Sequence, residues 1–424
     1  LGLIIVDDDR VTWCGGLGLA DRKTREPLTE DSLIRLGSIS KSFTGLGMLI
    51  ADREDLLALD TPVARVVDPP PYDNRWADSH PVTVAQLLEH TAGLRDMSGR
   101  EFDFNRPVSL DEAFQVDPTS RRIAWPPGHH SSYSNSGAGI AAYTFETVTG
   151  QNFEDYVARK VFTPLNMHTA TFRWTEALEK RLVTGYDTDG KTRIPYWHQL
   201  YRPFGAVNVE LAEMANFLRM LLGDGAFDGH RVLSPDEVRR MEQPRTGLAP
   251  SIGLAFGYGL GNYAFTHAGF VFHGHGGDAD GYLSFYAYNR ELRRGYFLLI
   301  NAFQNRTLRR MRSRVQDYLV RDAEPSFARP AAQPLEHLRA LTGTYRKATS
   351  RFGEPRGTVT VHLKNDRLWL VRGEKREVLL PLDRWTFRRR FEPVATTAFI
   401  RHEGKLFLQG PFGNYRRKAS STDQ

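Results

Sequence analysis

The spacing of apolar residues changes period along the chain. Residues 3–6 and 11–13 are apolar runs around Asp7, Asp8 and Asp9, which predicts a hairpin with a polar turn. Beyond Ser38 the apolar residues Ile39, Phe43, Leu46, Leu49 and Ile50 recur at helical spacing, so Ser38 opens a helix that is buried along its length. As far as about residue 240, helical patterns at 84–89, 137–149 and 211–222 alternate with loops rich in Pro and Gly. Strand patterns return at 282–288 and 296–300. Strands at both ends with helices between predict one α/β (α+β) domain, whose sheet is completed by the two ends of the segment.

A different pattern follows. Residues 323–334, with Pro325, Pro330, Pro334 and several alanines, read as a linker. Apolar and polar residues then alternate at 358–363, 367–371, 377–382, 398–402 and 405–409. Turn signals such as Lys364-Asn365-Asp366 and Glu403-Gly404 separate these runs. Short antiparallel strands at this spacing predict a small barrel or sandwich. The expected division is therefore 1–322, a linker at 323–334, and a β domain over 335–424.

Composition narrows the class. With 41% hydrophobic and 25% charged residues, the 424-residue chain has the balance of a globular protein. No run approaches the ~20 apolar residues of a membrane-spanning helix, and no signal-peptide pattern opens the chain. The one cysteine, Cys14, excludes a disulfide framework and a cysteine zinc site, and reads as a small buried filler. Charge is uneven: from residue 331 onward there are 19 Lys/Arg against 9 Asp/Glu, and before it 37 against 41. A basic end attracts nucleic acid, an anionic membrane or an acidic partner protein. Here the basic residues interleave with apolar ones, as Arg388, Arg389 and Arg390 follow Trp385 and Phe387. That pattern reads first as the solvated face of a sheet. No nucleic-acid partner is expected, and contact with an anionic partner is the lesser reading. Oligomeric state is not legible.

Three short elements carry chemistry. In Ser38-Ile39-Ser40-Lys41 the serine and lysine stand on one helical face, within hydrogen-bonding reach. A serine hydroxyl needs a base to take its proton. Lysine serves only if its pKa falls from ~10.4 toward neutrality, and burial and the positive end of a helix both push it down. In Tyr133-Ser134-Asn135 the phenol can shuttle a proton and the amide can orient Lys41 and a substrate carbonyl; the plainer reading is a loop tyrosine and a helix-capping asparagine. In His275-Gly276-Gly277 two glycines let a substrate backbone approach a strand edge, and the amides of Ser38 and Asp278 are candidates for an oxyanion hole. A metal pair of His273 and His275 lacks further ligands at recognised spacing. No Gly-x-Ser-x-Gly elbow and no phosphate-cradling loop occurs.

The order Ser-x-x-Lys, Tyr-x-Asn, His-x-Gly resembles the beta-lactamase, DD-peptidase and family VIII esterase superfamily. The stretches 36–44, 82–94 and 256–261 add to the likeness, which spans about residues 3–320. The resemblance implies that Ser38 is acylated, that Lys41 and Tyr133 share the proton work, that Asn135 positions the site and that His275 lines the oxyanion strand. It implies no metal and no cofactor. It makes His90, in His90-Thr91-Ala92-Gly93-Leu94, a structural brace. Residues 335–420, opening with Leu341-Thr342-Gly343-Thr344-Tyr345, resemble a lipocalin-like barrel. The expected fold is an antiparallel sheet flanked by helices, an all-helical lobe, and that barrel.

Two departures bear on function. The superfamily has a helix ahead of its first strand, whereas Leu1 lies almost in that strand, so a trimmed N-terminus is expected. Bacterial cytoplasm, periplasm and secretion all stay open. The third element has His and Gly where beta-lactamases carry Lys and Thr, and Gly276 has no side chain to hold a substrate carboxylate. This favours an esterase, amidase or D-residue peptidase acting on a small molecule or peptide over an efficient beta-lactamase. Asp278 and Asp280, beyond the strand, are candidates to receive a substrate amine, against the plainer reading of a solvated turn. Acyl transfer to an amine, and a silent scaffold or ligand-binding protein, are the alternatives.

Overall fold

The computed structural model describes residues 1–279, 281–351 and 357–419. Six antiparallel strands form the main sheet in the spatial order Arg10–Gly16, Gly2–Asp7, Arg294–Ile300, Tyr282–Asn289, Phe270–Ala279, Tyr263–His267. The two ends of the first segment thus pair directly, with Ile4 opposite Phe297. Both faces of the sheet are covered, and the period-2 alternation sorts its residues between two cores. Tyr286, Tyr288, Phe297, Leu299, Ile4 and Val6 face the helical side, with Phe43, Leu46 and Phe217. Leu283, Phe285, Tyr296 and Leu298 face the helix Asn305–Leu319 through Leu308 and Leu319. Burying each such side chain contributes about 1.5–3 kcal/mol, so register is strongly specified: a one-residue slip would exchange the two cores.

The helix Ser40–Arg53 (α1) runs through the centre of the larger core, with Phe43, Leu46, Met48, Leu49 and Ile50 buried. Ser38 precedes it, in the tight turn Gly37–Ile39. Hydroxyls pin this buried helix: Ser40 Oγ donates to the Gly37 carbonyl at 2.7 Å, Ser42 Oγ to the Gly261 carbonyl at 2.6 Å and Thr44 Oγ1 to the Pro203 carbonyl at 2.7 Å. Around it lie the helices Ser136–Thr149 and Met214–Leu222, which belong to the expected helical patterns. Cys14 is partly buried against the same core.

The C-terminal eight strands close into an antiparallel barrel, from Gly343–Lys347 to Gly413–Arg417, as the lipocalin-like pattern implied. Tyr345, Val361, Leu370, Phe387, Phe399, Leu408 and Tyr415 pack its interior, consistent with a barrel of this size being filled by its own side chains. One reading of the basic residues is corrected here. Arg388 is buried, donating to the carbonyls of Ala328 and Arg390, and Arg389 pairs with Glu377 and Glu392. These two arginines tie strand to linker and turn instead of facing solvent, because Thr386–Arg389 is a short strand whose following turn carries Glu392. The segment before the barrel lies along it, with the amides of Ala328 and Ala331 donating to the carbonyls of Pro393 and Pro381, each at 2.8 Å.

The barrel docks through its outer face. Ala398, Ile400 and Phe407 pack on Leu248, Leu254, Phe256 and Ala264 of the larger domain. Polar contacts flank this patch: Gln409 Nε2 donates to the His129 carbonyl at 3.0 Å and Asn414 Nδ2 to the Ser131 carbonyl at 2.6 Å.

Candidate active site

Ser38 is half-buried, whereas Lys41, one turn on, is buried. Lys41 Nζ lies 3.1 Å from Ser38 Oγ, 2.8 Å from Asn135 Oδ1 and 3.0 Å from the Phe204 carbonyl oxygen. Tyr133 hydrogen-bonds Ser38 from the other side, and its ring faces Lys41 Nζ at 4.8 Å. Two elements far apart in sequence thus meet at the Ser38 hydroxyl, and the Phe204 carbonyl joins them at Lys41. Asn135 occupies the N-cap position of the helix Ser136–Thr149 yet makes no side-chain capping bond. Its amide oxygen accepts from Lys41 instead, so the capping reading does not describe it.

Burial holds the Lys41 amine well below the ordinary lysine range, the charge of Asp96 opposing and that of Arg351 assisting. Burial pushes the Tyr133 phenol up, while its bond with Ser38 pulls it down. His275 is brought to about 3 by burial and by Lys41, so its imidazole is neutral at neutral pH. Its Nε2 lies 2.7 Å from the Tyr258 hydroxyl and its Nδ1 2.6 Å from the Gly276 carbonyl. A neutral ring engaged at both nitrogens is unsuited to hold a carboxylate as a cation.

The strand Phe270–Ala279 presses against the Ser38 turn. Gly37 has φ +57, and a Cβ there would meet the Asp278 backbone nitrogen at 2.7 Å. A Cβ on Gly277 would meet the Leu36 carbonyl oxygen at 1.8 Å. Only glycine at both positions allows the two backbones this close, and the approach sets the Asp278 amide against the turn that carries Ser38. Gly276 pairs with Phe285 and Gly277 with Ser284, whose hydroxyl donates to the Leu36 carbonyl at 2.9 Å. Asp278 is exposed, though partial desolvation pushes its carboxyl up to about 6. Asp280 lies outside the described residues.

His90 is wedged between the rings of Tyr133 and Tyr258, each 4.3 Å away. Its Nδ1 accepts from the Ser134 amide at 3.2 Å and its carbonyl from the Ser132 amide at 2.7 Å. With Nδ1 so engaged, His90 braces the Tyr133 loop, the role expected of it. Four residues of the site were not anticipated: Asp96, Phe204, Tyr258 and Arg351. Asp96 and Tyr258 lie within or next to quoted stretches, so their places carried a signal. Phe204 contributes a carbonyl, which no residue type encodes, and Arg351 comes from the barrel. Among the described residues no cluster of three or more His, Cys, Asp and Glu side chains has the arrangement to hold a metal ion.

The fold together with this site defines the class, the serine-hydrolase fold of the beta-lactamase and penicillin-binding type. The chain belongs to the beta-lactamase family, whose family model matches residues 1–320. Penicillin-binding protein 4 of Amycolatopsis lactamdurans is 32% identical over 287 residues, covering 63% of this chain and 72% of that one. The structure of the octameric penicillin-binding protein homologue from Pyrococcus abyssi superposes over 98% of this chain and 95% of that one, at 21% identity and TM-score 0.61. That of a beta-lactamase/D-alanine carboxypeptidase from Yersinia pestis, complexed with citrate, covers 75% of this chain and 92% of that one, at 21% identity and TM-score 0.62.

Proposed function

We propose that the chain hydrolyses ester or amide substrates through a Ser38 acyl-enzyme. The observation that carries this reading is the set of partners around Lys41. A neutral amine has two N–H donors and one lone pair. The Asn135 oxygen and the Phe204 carbonyl can take the two donors, which leaves the lone pair for the Ser38 hydroxyl. Burial favours that neutral form. Ser38 Oγ attacks the substrate carbonyl carbon and its proton passes into the Lys41–Tyr133 pair. The pair returns a proton to the leaving oxygen or nitrogen as the carbonyl–leaving-group bond breaks. Water then attacks the acyl-enzyme with the same groups acting in reverse and releases the acid. The Ser38 and Asp278 amides hold the charge that develops on the carbonyl oxygen.

Substrates are small esters or amides, with D-residue peptides the next class. Asp278, beside the oxyanion strand, supports the latter for substrates bearing an amine. The neutral His275 and the bare Gly276 disfavour substrates that depend on carboxylate capture, beta-lactams included. Intact-mass measurement after incubation with a short-chain p-nitrophenyl ester, and separately with a penicillin, tests the reading. We expect turnover or an adduct with the ester, a weaker response to penicillin, and neither in Ser38→Ala. A wild-type chain inert to both probes would remove it.

A further inference from the structure

We infer that Arg351, carried by the C-terminal barrel, is a positioning residue for the hydrolase site: it clamps Asp96, and through Asp96 the backbone of Asn135. The inference rests on the roles just given to Ser38 and Lys41.

Asp96 is 5% exposed and has the unusual φ of 131°. Its Oδ1 accepts the amides of Met97 and Asn135, each at 2.8 Å. Its Oδ2 accepts from Arg351, from Nε at 3.0 Å and from Nη2. The Arg351 guanidinium also lies 5.0 Å from the centre of the Tyr133 ring. A buried carboxylate without a cation is costly, and a two-pronged arginine contact fixes its orientation as well as its charge. The barrel holds the same segment from the other side, where Gln409 and Asn414 bond the carbonyls of His129 and Ser131. Tyr133-Ser134-Asn135 is therefore bracketed by barrel contacts.

The pair also sets the charge felt by Lys41. Among the described residues, the groups around that amine are Ser38, Tyr133, Asn135, the Phe204 carbonyl, His90, His275, Asp96 and Arg351. Among the described residues, Asp96 is the one acidic group whose charge bears on Lys41, and it favours the ammonium form; Arg351 opposes it. Removing Arg351 leaves the carboxylate unbalanced and moves Lys41 toward its charged, inactive form.

The test uses the full chain and its Arg351→Ala, Arg351→Lys and Asp96→Asn variants. Ester hydrolysis is followed across pH, and amide hydrogen exchange at residues 133–137. For Arg351→Ala we expect kcat to fall about ten-fold with KM nearly unchanged. The acid limb of its profile should move to higher pH, and exchange at Asn135 should quicken. Arg351→Lys should return the limb toward its wild-type position while recovering part of the rate. Asp96→Asn keeps an oxygen for the two amides but removes the charge, so its limb should move to lower pH. An Arg351→Ala variant whose acid limb and exchange both match wild type overturns the inference, whatever its rate. If that variant fails to fold, an unmoved limb in Asp96→Asn overturns it. A wild-type chain that turns over no ester would sink the acyl-enzyme reading, and exchange at Asn135 would then decide the clamp by itself.

Discussion

The cradle around Ser38 and the interior of the barrel are both buried, but they are built on opposite terms. In the cradle, amine, phenol, amide, imidazole and carboxylate are packed together, and each is held by another polar group. In the barrel, Val361, Leu370, Phe387, Phe399 and Leu408 fill a closed cylinder with apolar atoms. One region spends stability on desolvated polar groups, and the same burial disfavours the charged form of Lys41. The other gains stability mainly from apolar burial and meets the cradle through a few polar contacts at its rim. Substitutions should therefore fall into two kinds: cradle changes whose first effect is on the chemistry, and barrel changes that act on the fold first.

The largest expected effect is Ser38→Ala, which should lower acylation by about 10⁴-fold or more while leaving the melting temperature within a few degrees. A large fall in melting temperature would break the contrast. Gly277→Ala should come next. Its Cβ would meet the Leu36 carbonyl oxygen at 1.8 Å, so the strand must retreat from the Ser38 turn. Ester turnover should be nearly lost, with destabilisation of about 1–3 kcal/mol by denaturant titration. Wild-type turnover in that variant would argue against the paired amides. Phe387→Ala, in the barrel, should cost about 3–5 kcal/mol and leave Ser38 labelling intact wherever the variant is folded.

A smaller effect follows from pH. His130, whose Nδ1 meets the barrel's Gln409 at 2.9 Å, is lowered from 6.5 to about 3 by burial. Between those values the unfolded chain binds the proton and the folded chain does not, so stability falls as pH falls. The slope is at most about 1.4 kcal/mol per pH unit for this histidine. Calorimetry from pH 7 to 4 should show the decline, flatter in His130→Gln; an equal slope would assign it elsewhere. The smallest effect is Asp278→Asn, which should raise KM a few-fold for amine-bearing substrates alone, and only above the point near 6 where the carboxyl ionises. An equal effect on neutral esters would remove the amine role.

Much of this was legible in the sequence because short-range chemistry leaves short motifs. Ser38 and Lys41 are three residues apart, and a helical turn brings them together. Gly277 sits where a strand must touch another backbone, and glycine is the residue that permits it. Strand alternation identified five of the eight barrel strands; Gly343–Lys347, Thr386–Arg389 and Gly413–Arg417 were not among them. What stayed hidden depends on tertiary distance or on backbone atoms. Asp96 and Arg351 are separated by 255 positions, and nothing local to either announces the pair. The Phe204 carbonyl is available at every residue, so its choice is made by the fold.

The central claim is that Ser38 is activated by a neutral Lys41. The pH dependence of Ser38 labelling by a fluorophosphonate, followed by intact mass, tests it most directly. We expect the labelling rate to reach its plateau along an acid limb well below the ordinary lysine value of ~10.4, with no labelling in Ser38→Ala. A rate that still climbs through that ordinary range, or labelling that survives in Ser38→Ala, would contradict the account.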